Sequence, residues 1–320
     1  MNILVTGAAG FIGSHLCESL IESGHFVIGI DNFDPFYPQQ FKKLNLLQLI
    51  KSESFQFHNC DIRNQHELDK IFNAGKINAV IHLAAKAGVR PSIESISEYY
   101  EVNVNGSLNL LESMKNHNVS KMLFASSSSI YGNNAKVPFS EEDRVDNPIS
   151  PYASTKKSGE LLCHVYSHLY DFDITCLRFF TVFGPRQRPD LAIHKFTRLI
   201  DEGIAIPFYG DGSTSRDYTY IDDIVSGINC ALNAMDGFRT YNLGESHVID
   251  LKTLVETIER LLGKKADLKF LPLQPGDVNT TYADISKARK EIGYTPMFDI
   301  ESGLNEFINW YKANKTYLYG

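Results

Sequence analysis

The most constraining feature of this chain is its opening junction, Ile3-Leu4-Val5-Thr6-Gly7-Ala8-Ala9-Gly10-Phe11-Ile12-Gly13. A short apolar, β-forming run enters regularly spaced glycines, and Ile12, Leu16, Leu20 and Ile21 leave them at helical spacing. A strand that turns directly into a helix predicts a right-handed crossover onto a second, parallel strand. That strand follows Gly24 as Phe26-Val27-Ile28-Gly29-Ile30, and further strands are expected at 55–57, 79–83, 121–125 and 174–179. Helical patterns occupy 11–23, 66–73, 97–117 and 151–170. The alternation predicts an α/β fold, a Rossmann-type doubly wound parallel sheet buried on both faces. Residues 34–54 read as an insertion in which Pro35 and Pro38 break any helix at its start. After residue 180 Gly and Pro cluster, with helices expected near 191–202, 222–234, 250–263 and 284–292. This second part reads as a smaller, loop-rich α/β domain. The expected division is 1–181 and 182–320, crossed more than once.

Composition narrows the class. With 43% apolar and 22% charged residues, the 320-residue chain is neither disordered nor fibrous. A net charge of −7 gives no overall field that would draw in nucleic acid or anionic lipid. The five cysteines are dispersed and include no Cys-x-x-Cys, against a disulfide framework or a cysteine-held zinc. No secretory signal precedes the first strand, and no apolar run reaches the ~18–20 residues of a membrane span. The expectation is a soluble cytoplasmic protein without a metal, a membrane anchor or a nucleic-acid partner.

Glycines at such a turn permit close approach of a pyrophosphate, and the helix start offers it unpaired N–H groups and the positive end of a dipole. Asp31 ends the second strand 18 residues past Gly13, where a ribose-binding acid belongs. Its carboxylate would repel a 2′-phosphate, and no Arg follows at once, so NAD is expected ahead of NADP. Taken alone, Asp31 could also cap a turn, the less favoured reading. Ser127 follows the strand at 121–125, at the carboxyl edge where such sheets bind ligands. Ser150-Pro151 reads as an N-cap and first helical position. Tyr152 and Lys156 then lie one turn apart on one helix face. A nearby ammonium favours the phenolate and lowers a phenol from its ordinary value of about 10, which makes Tyr152 a candidate general base with Ser127 in its proton network. Without the glycine turn the same pair would read as an ordinary surface face. His82 reads as a packed core histidine, His164 and His168 lack a third ligand, and Asp222-Asp223 reads as a helix cap rather than a metal site.

Together these residues resemble the extended short-chain dehydrogenase/reductase family, marked by Gly-x-x-Gly-x-x-Gly, Ser/Thr and Tyr-x-x-x-Lys, and its nucleotide-sugar epimerase branch. The resemblance runs on through Asp61-Ile62, His82-Leu83-Ala84-Ala85, Asn103-Val104-Asn105-Gly106, Arg178-Phe179-Phe180-Thr181 and Arg216-Asp217-Tyr218-Thr219-Tyr220-Ile221-Asp222-Asp223. It implies that Tyr152 is the base, that Lys156 holds the ribose and tunes Tyr152, and that Ser127 hydrogen-bonds the reacting oxygen. It also implies NAD held by Gly7, Gly10, Phe11, Ile12, Gly13, Asp31, Asn32, Asp61, Ile62, Leu83, Ala84, Ala85, Asn103 and Phe179, beside Tyr152 and Lys156. Arg186, Arg188 and Arg216 are the candidates for the substrate pyrophosphate, each with a surface ion pair as its plainer reading. Asp277 resembles a position that contacts the uridine ribose, with loop capping as the alternative.

The 4,6-dehydratases of this branch carry an Asp-Glu pair after the Ser/Thr, and UDP-glucuronate decarboxylases carry Glu where Ser129 stands. Neither acid is present, which favours epimerisation at carbon 4. The stretches 126–132 and 179–190 are similar to UDP-glucuronate 4-epimerases, in which the residues matching Ser128, Ser129, Thr181 and Arg188 surround the sugar carboxylate. UDP-N-acetylglucosamine and UDP-glucose epimerases share much of the pattern and remain the alternative. A decarboxylase or a non-catalytic dinucleotide sensor is less favoured. The resemblance further implies a homodimer through the helices at 97–117 and 151–170, although core packing is the plainer reading of the stripe Leu161, Leu162, Val165 and Leu169.

Overall fold

The computed structural model describes residues 1–245, 247–272 and 280–320. Its first half alternates β1 (Asn2–Thr6), α1 (Phe11–Glu22), β2 (Phe26–Asp31), α2 (Gln39–Leu46), β3 (Phe55–Asn59), α3 (Gln65–Ala74) and β4 (Ala79–His82). There follow α4 (Val89–Glu94), α5 (Ile96–Tyr100), α6 (Gly106–Asn116), β5 (Lys121–Ser127), α7 (Pro151–Tyr170) and β6 (Asp173–Phe179). Ile3, Leu4, Val5, Val80 and Ile81 are buried, as a strand covered on both faces requires. The expected helix at 97–117 is helical throughout but not uniform, because a wide π turn at Glu101–Asn105 separates α5 from α6. The expected break at Pro38 stands immediately before α2, which the insertion does contain.

The second half contributes β7 (Thr181–Phe183), α8 (Ala192–Glu202), β8 (Ile206–Tyr209), β9 (Ser215–Tyr220), α9 (Ile221–Asn233), β10 (Phe238–Leu243), β11 (Val248–Asp250), α10 (Leu251–Leu262), β12 (Leu268–Leu271), α11 (Ser286–Ile292) and α12 (Ile300–Tyr319). The periodic reading passed over α12. Its signals are local: Asp299 accepts from Ser302 N at 2.8 Å, and Leu304, Phe307, Ile308 and Tyr311 form a buried stripe at helical spacing.

The main sheet has seven parallel strands in the order β10-β6-β5-β4-β1-β2-β3. β10 comes from the second half, so the chain returns to the first sheet after leaving it. Small sheets β11-β9-β7 and β12-β8 stand beyond it. Strand order reverses between β1 and β4, whose last pair in register is Thr6 and His82. A doubly wound sheet opens a crevice at the carboxyl ends of such strands.

Candidate active site

The crevice at this reversal is lined by Gly7, Gly10, Phe11, Ile12 and Gly13 from the β1–α1 turn, by Asp31 and Asn32 after β2, and by Asp61 and Ile62 after β3. Leu83, Ala84 and Ala85 after β4, Ser127 at the end of β5, Tyr152 and Lys156 on α7, and Phe179 at the end of β6 complete this wall. The turn is built for close approach. Gly7 has φ +73°, and a Cβ there would lie 2.9 Å from Ala84 N, while a Cβ on Gly13 would lie 2.1 Å from Gly7 O. The start of α1 has no side-chain cap and no acid in its first turn, so its N–H groups and dipole are left for an anion. This is the donor set a dinucleotide pyrophosphate needs.

Asp31 is buried and accepts through Oδ1 from Phe33 N at 2.8 Å and Lys42 Nζ at 3.1 Å. It therefore caps a turn as well as facing the crevice, and Lys42 stabilises its charge. Asn32 donates to Asp61 at 2.9 Å, and Arg63 holds the Asp61 carboxyl down at about 2. Behind the β4 loop, Thr6 Oγ1 accepts from Leu83 N and Ala84 N and lies 2.7 Å from His82 Nδ1. That leaves the Thr6 hydroxyl proton for Nδ1, so His82 is protonated on Nε2, which reaches Ser107 at 2.9 Å. Burial holds His82 neutral, with its pKa at about 3. The core reading of His82 thus acquires a purpose, which is to fix the loop that meets the glycines.

Asn103 does not line the crevice. It sits in the π turn, buried, exchanging hydrogen bonds with the Lys86 backbone at 2.8 and 2.9 Å and donating to Thr155 Oγ1 at 3.0 Å. The amide ties the β4 loop to α7 one residue before Lys156.

Ser150 caps α7 by accepting from Ala153 N at 3.2 Å, with Pro151 in the first turn. This fixes the start of the helix on which Tyr152 and Lys156 stand. Lys156 Nζ donates to Ala125 O at 2.7 Å and lies 6.0 Å from the centroid of the Tyr152 ring. Burial lowers Lys156 to about 8. Burial also raises the Tyr152 phenol above its ordinary value, and Ser127 and the Arg188 guanidinium oppose that rise. The expected lowering of Tyr152 by Lys156 is therefore not what governs the isolated chain. Desolvation outweighs it, and the ammonium is aimed at a carbonyl.

Of the substrate candidates among the described residues, Arg188 alone lines the crevice. Its Nε and Nη2 donate to Asp190 at 3.0 and 2.7 Å, and its guanidinium lies 5.2 Å from the Phe36 ring centroid. Arg186 turns away, with φ +66°, and donates to Glu18 on α1 at 2.8 Å. Arg216 lies on β9 with Nη1 donating to Ser215 O at 2.8 Å. Ser128 and Ser129 form a 3-10 turn after β5, and the Ser129 hydroxyl donates to Ser127 Oγ at 2.9 Å. Thr181 starts β7 opposite Tyr218. Asp277 lies outside the described residues. Asp223 accepts from Met297 N and Phe298 N at 2.8 and 3.0 Å, so it staples a distant loop instead of capping its own helix. Among the described residues there is no metal-ligating cluster.

Sequence reasoning missed Phe36, Tyr37, Lys42 and Lys86 in the crevice wall. The aromatic pair framed by Pro35 and Pro38 was the available sign, since a solvated insertion has no need of it. For Lys86, which pairs with Glu98 at 2.7 Å, no local signal existed.

Serine, tyrosine and lysine at the carboxyl edge of a dinucleotide-type sheet define an extended short-chain dehydrogenase/reductase. Within that class the chain belongs to the GDP-mannose 4,6 dehydratase family, whose model matches residues 4–307. It is 46% identical to a UDP-glucuronate 4-epimerase of Thermodesulfobacterium geofontis over 312 residues, covering 97% of this chain and 96% of that one. It superposes on UDP-glucuronic acid 4-epimerase from Bacillus cereus, solved with UDP-glucuronic acid and NAD, with a TM-score of 0.92, 39% identity, and 98% and 99% of the two chains covered. The Thermotoga maritima UDP-glucose 4-epimerase, solved with UDP-glucose, gives a TM-score of 0.91 at 32% identity over 98% and 100% of the chains. Backbone likeness does not separate the sugars, so the discrimination rests on side chains.

Proposed function

We propose that the protein is an NAD-dependent UDP-glucuronate 4-epimerase, interconverting UDP-glucuronate and UDP-galacturonate, and that it works in the cytoplasm as a homodimer. One observation carries the reading: a largely covered guanidinium, Arg188, 17% exposed, shares a crevice with Tyr152, Ser127 and the glycine cradle. A neutral sugar ring offers that guanidinium no carboxylate to pair with, whereas a uronate does. The family includes dehydratases, but Ser128 and Ser129 stand where those need acids, so the proton chemistry stays at carbon 4. Bound NAD supplies the acceptor and donor of hydride. The chain supplies everything else. Tyr152 takes and returns the proton of the 4-hydroxyl, and Ser127 hydrogen-bonds the same oxygen. Lys156 lines the wall beside them. Ser128, Ser129 and Thr181 would complete the polar surround of the carboxylate, and Arg186, Arg216 and Asp277 are left to the pyrophosphate and uridine, with Arg186 the least favoured because it sits on Glu18 outside the crevice.

The N-terminal part, 1–181, would hold NAD and the part from 182 the nucleotide sugar, with α9 and β10 returned to the first. The dimer reading rests on Leu108, Leu161, Val165 and Leu169, exposed on α6 and α7. No described helix is long and apolar enough to cross a membrane. The deciding experiment is an anomeric-proton NMR time course with UDP-glucuronate and no added NAD. UDP-galacturonate alone is the expected product. A UDP-pentose with carbon dioxide would mean decarboxylation, and turnover confined to UDP-glucose or UDP-N-acetylglucosamine would move the substrate assignment to the neutral sugars.

A further inference from the structure

The substrate-side arginine is already engaged. Arg188 is paired bidentately, Nε and Nη2 on the two oxygens of Asp190 at 3.0 and 2.7 Å, in the arrangement a carboxylate ligand adopts. The two partners differ in how firmly they are held. The Arg188 side chain is 17% exposed and lies against Phe36, whereas that of Asp190 is 39% exposed. The guanidinium is thus the fixed half of the pair and the carboxylate the half that can return to water.

We propose that Asp190 is a specificity-determining residue, an internal carboxylate that occupies Arg188 in the resting enzyme and is exchanged for the sugar carboxylate when substrate binds. This rests on the proposed function. Two carboxylates on one guanidinium would leave a net negative charge beside Tyr152, which must itself give up a proton, so exchange is favoured over sharing. The exchange has a consequence for selection. A uronate replaces like with like and leaves Asp190 solvated. A neutral sugar leaves the pair intact and gains nothing from Arg188. An empty site never exposes an unpaired, largely covered cation, a state whose desolvation would be unfavourable.

The test is Asp190→Asn, a change of charge with little change of size, assayed for the KM of UDP-glucuronate alongside the inhibition constant of UDP, which has the pyrophosphate but no sugar carboxylate. For a partly exposed pair the KM should fall about two- to fivefold while the UDP constant stays where it is. The discrimination against UDP-glucose should rise, because the variant leaves Arg188 unpaired under a neutral sugar. A raised or unchanged KM for UDP-glucuronate overturns the proposal and makes Asp190 a holder of Arg188. A parallel fall in the UDP constant overturns it as well, since the effect would then be general to the site. Wild-type protein that converts UDP-glucose but not UDP-glucuronate would instead remove the functional reading, and the two failures are told apart in the same assay.

Discussion

Lys156 is 5% exposed, donates to Ala125 O at 2.7 Å, and has the Phe124 ring 5.3 Å away. Holding an ammonium in such surroundings is unfavourable, and its pKa falls to about 8 from an unfolded value near 10.4. At pH 7 the charge exists in both states, so folding is opposed by the burial. Between about pH 8 and 10 the unfolded chain binds the proton that the folded one has released, and stability rises with pH over that window. Because the resemblance gives Lys156 the cofactor ribose and the tuning of Tyr152, Lys156→Met should lower turnover by about a hundredfold. It should at the same time stabilise the fold at pH 7 by on the order of 1–3 kcal/mol, a gain that shrinks above pH 8. Thermal melts at pH 7 and pH 10 beside a turnover assay check both halves, and a variant destabilised at pH 7 would show that the hydrogen bond to Ala125 outweighs desolvation. The Tyr152 and Lys156 pairing was legible because four residues along a helix is one turn. That Lys156 addresses a carbonyl on β5 was not legible, because the distance is set by how α7 packs on the sheet.

At the scale of elements, α7 divides its labour along its length. The first turns carry the Ser150 cap, Tyr152 and Lys156. The later turns expose Leu161 at 54%, Val165 at 45% and Leu169 at 60%. Apolar residues left exposed at helical spacing beside the buried face of α7 form the surface that the proposed homodimer would cover. Val165→Glu places a charge in the middle of that stripe and should convert a dimer to a monomer at micromolar concentration, read by light scattering on a sizing column. A wild type that elutes as a monomer would defeat the dimer reading outright. The stripe could be read from spacing, but spacing alone could not say whether the core or a partner covered it. In the structure Leu161, Val165 and Leu169 are exposed, whereas Leu162 packs against the core. The π turn between α5 and α6 was illegible for a related reason, since Asn103 finds its partners on Lys86 and Thr155, elements that periodicity cannot see.

Across the whole molecule, the two halves are joined along α1. His15 Nε2 lies 2.9 Å from Pro185 O, Glu18 takes Arg186, and Asn229 on α9 donates to Ser19 at 2.9 Å. The seam meets the loop that presents Arg188. Burial, aided by the Arg186 charge and opposed by the Pro185 carbonyl, lowers His15 to about 4. The unfolded chain takes up a proton near pH 6.5 that the folded one refuses, so the His15 contribution is complete above pH 6.5 and is lost as pH falls toward 4. His15→Gln keeps a donor for Pro185 and cannot titrate. Its melting temperature should match the wild type at pH 7.5 and exceed it at pH 4.5, by about 2 kcal/mol in unfolding free energy. A constant offset across that range would mean that the histidine does not titrate on unfolding.

The sequence by itself determined the α/β class, the parallel crossovers, the glycine cradle and the Ser127, Tyr152 and Lys156 set. All of these are written in short-range terms: strand and helix periodicity, a cap, a tight turn and one helical repeat. Tertiary structure decided which arginine reaches the crevice, that Arg186 belongs to Glu18 and Arg188 to Asp190, that β10 completes the first sheet, and that Lys42 and His82 hold the cofactor wall in place. Arg186 and Glu18 stand 168 positions apart, and His15 and Pro185 stand 170 apart. Contacts of that reach follow from packing of the finished core, and no local pattern in the chain encodes them.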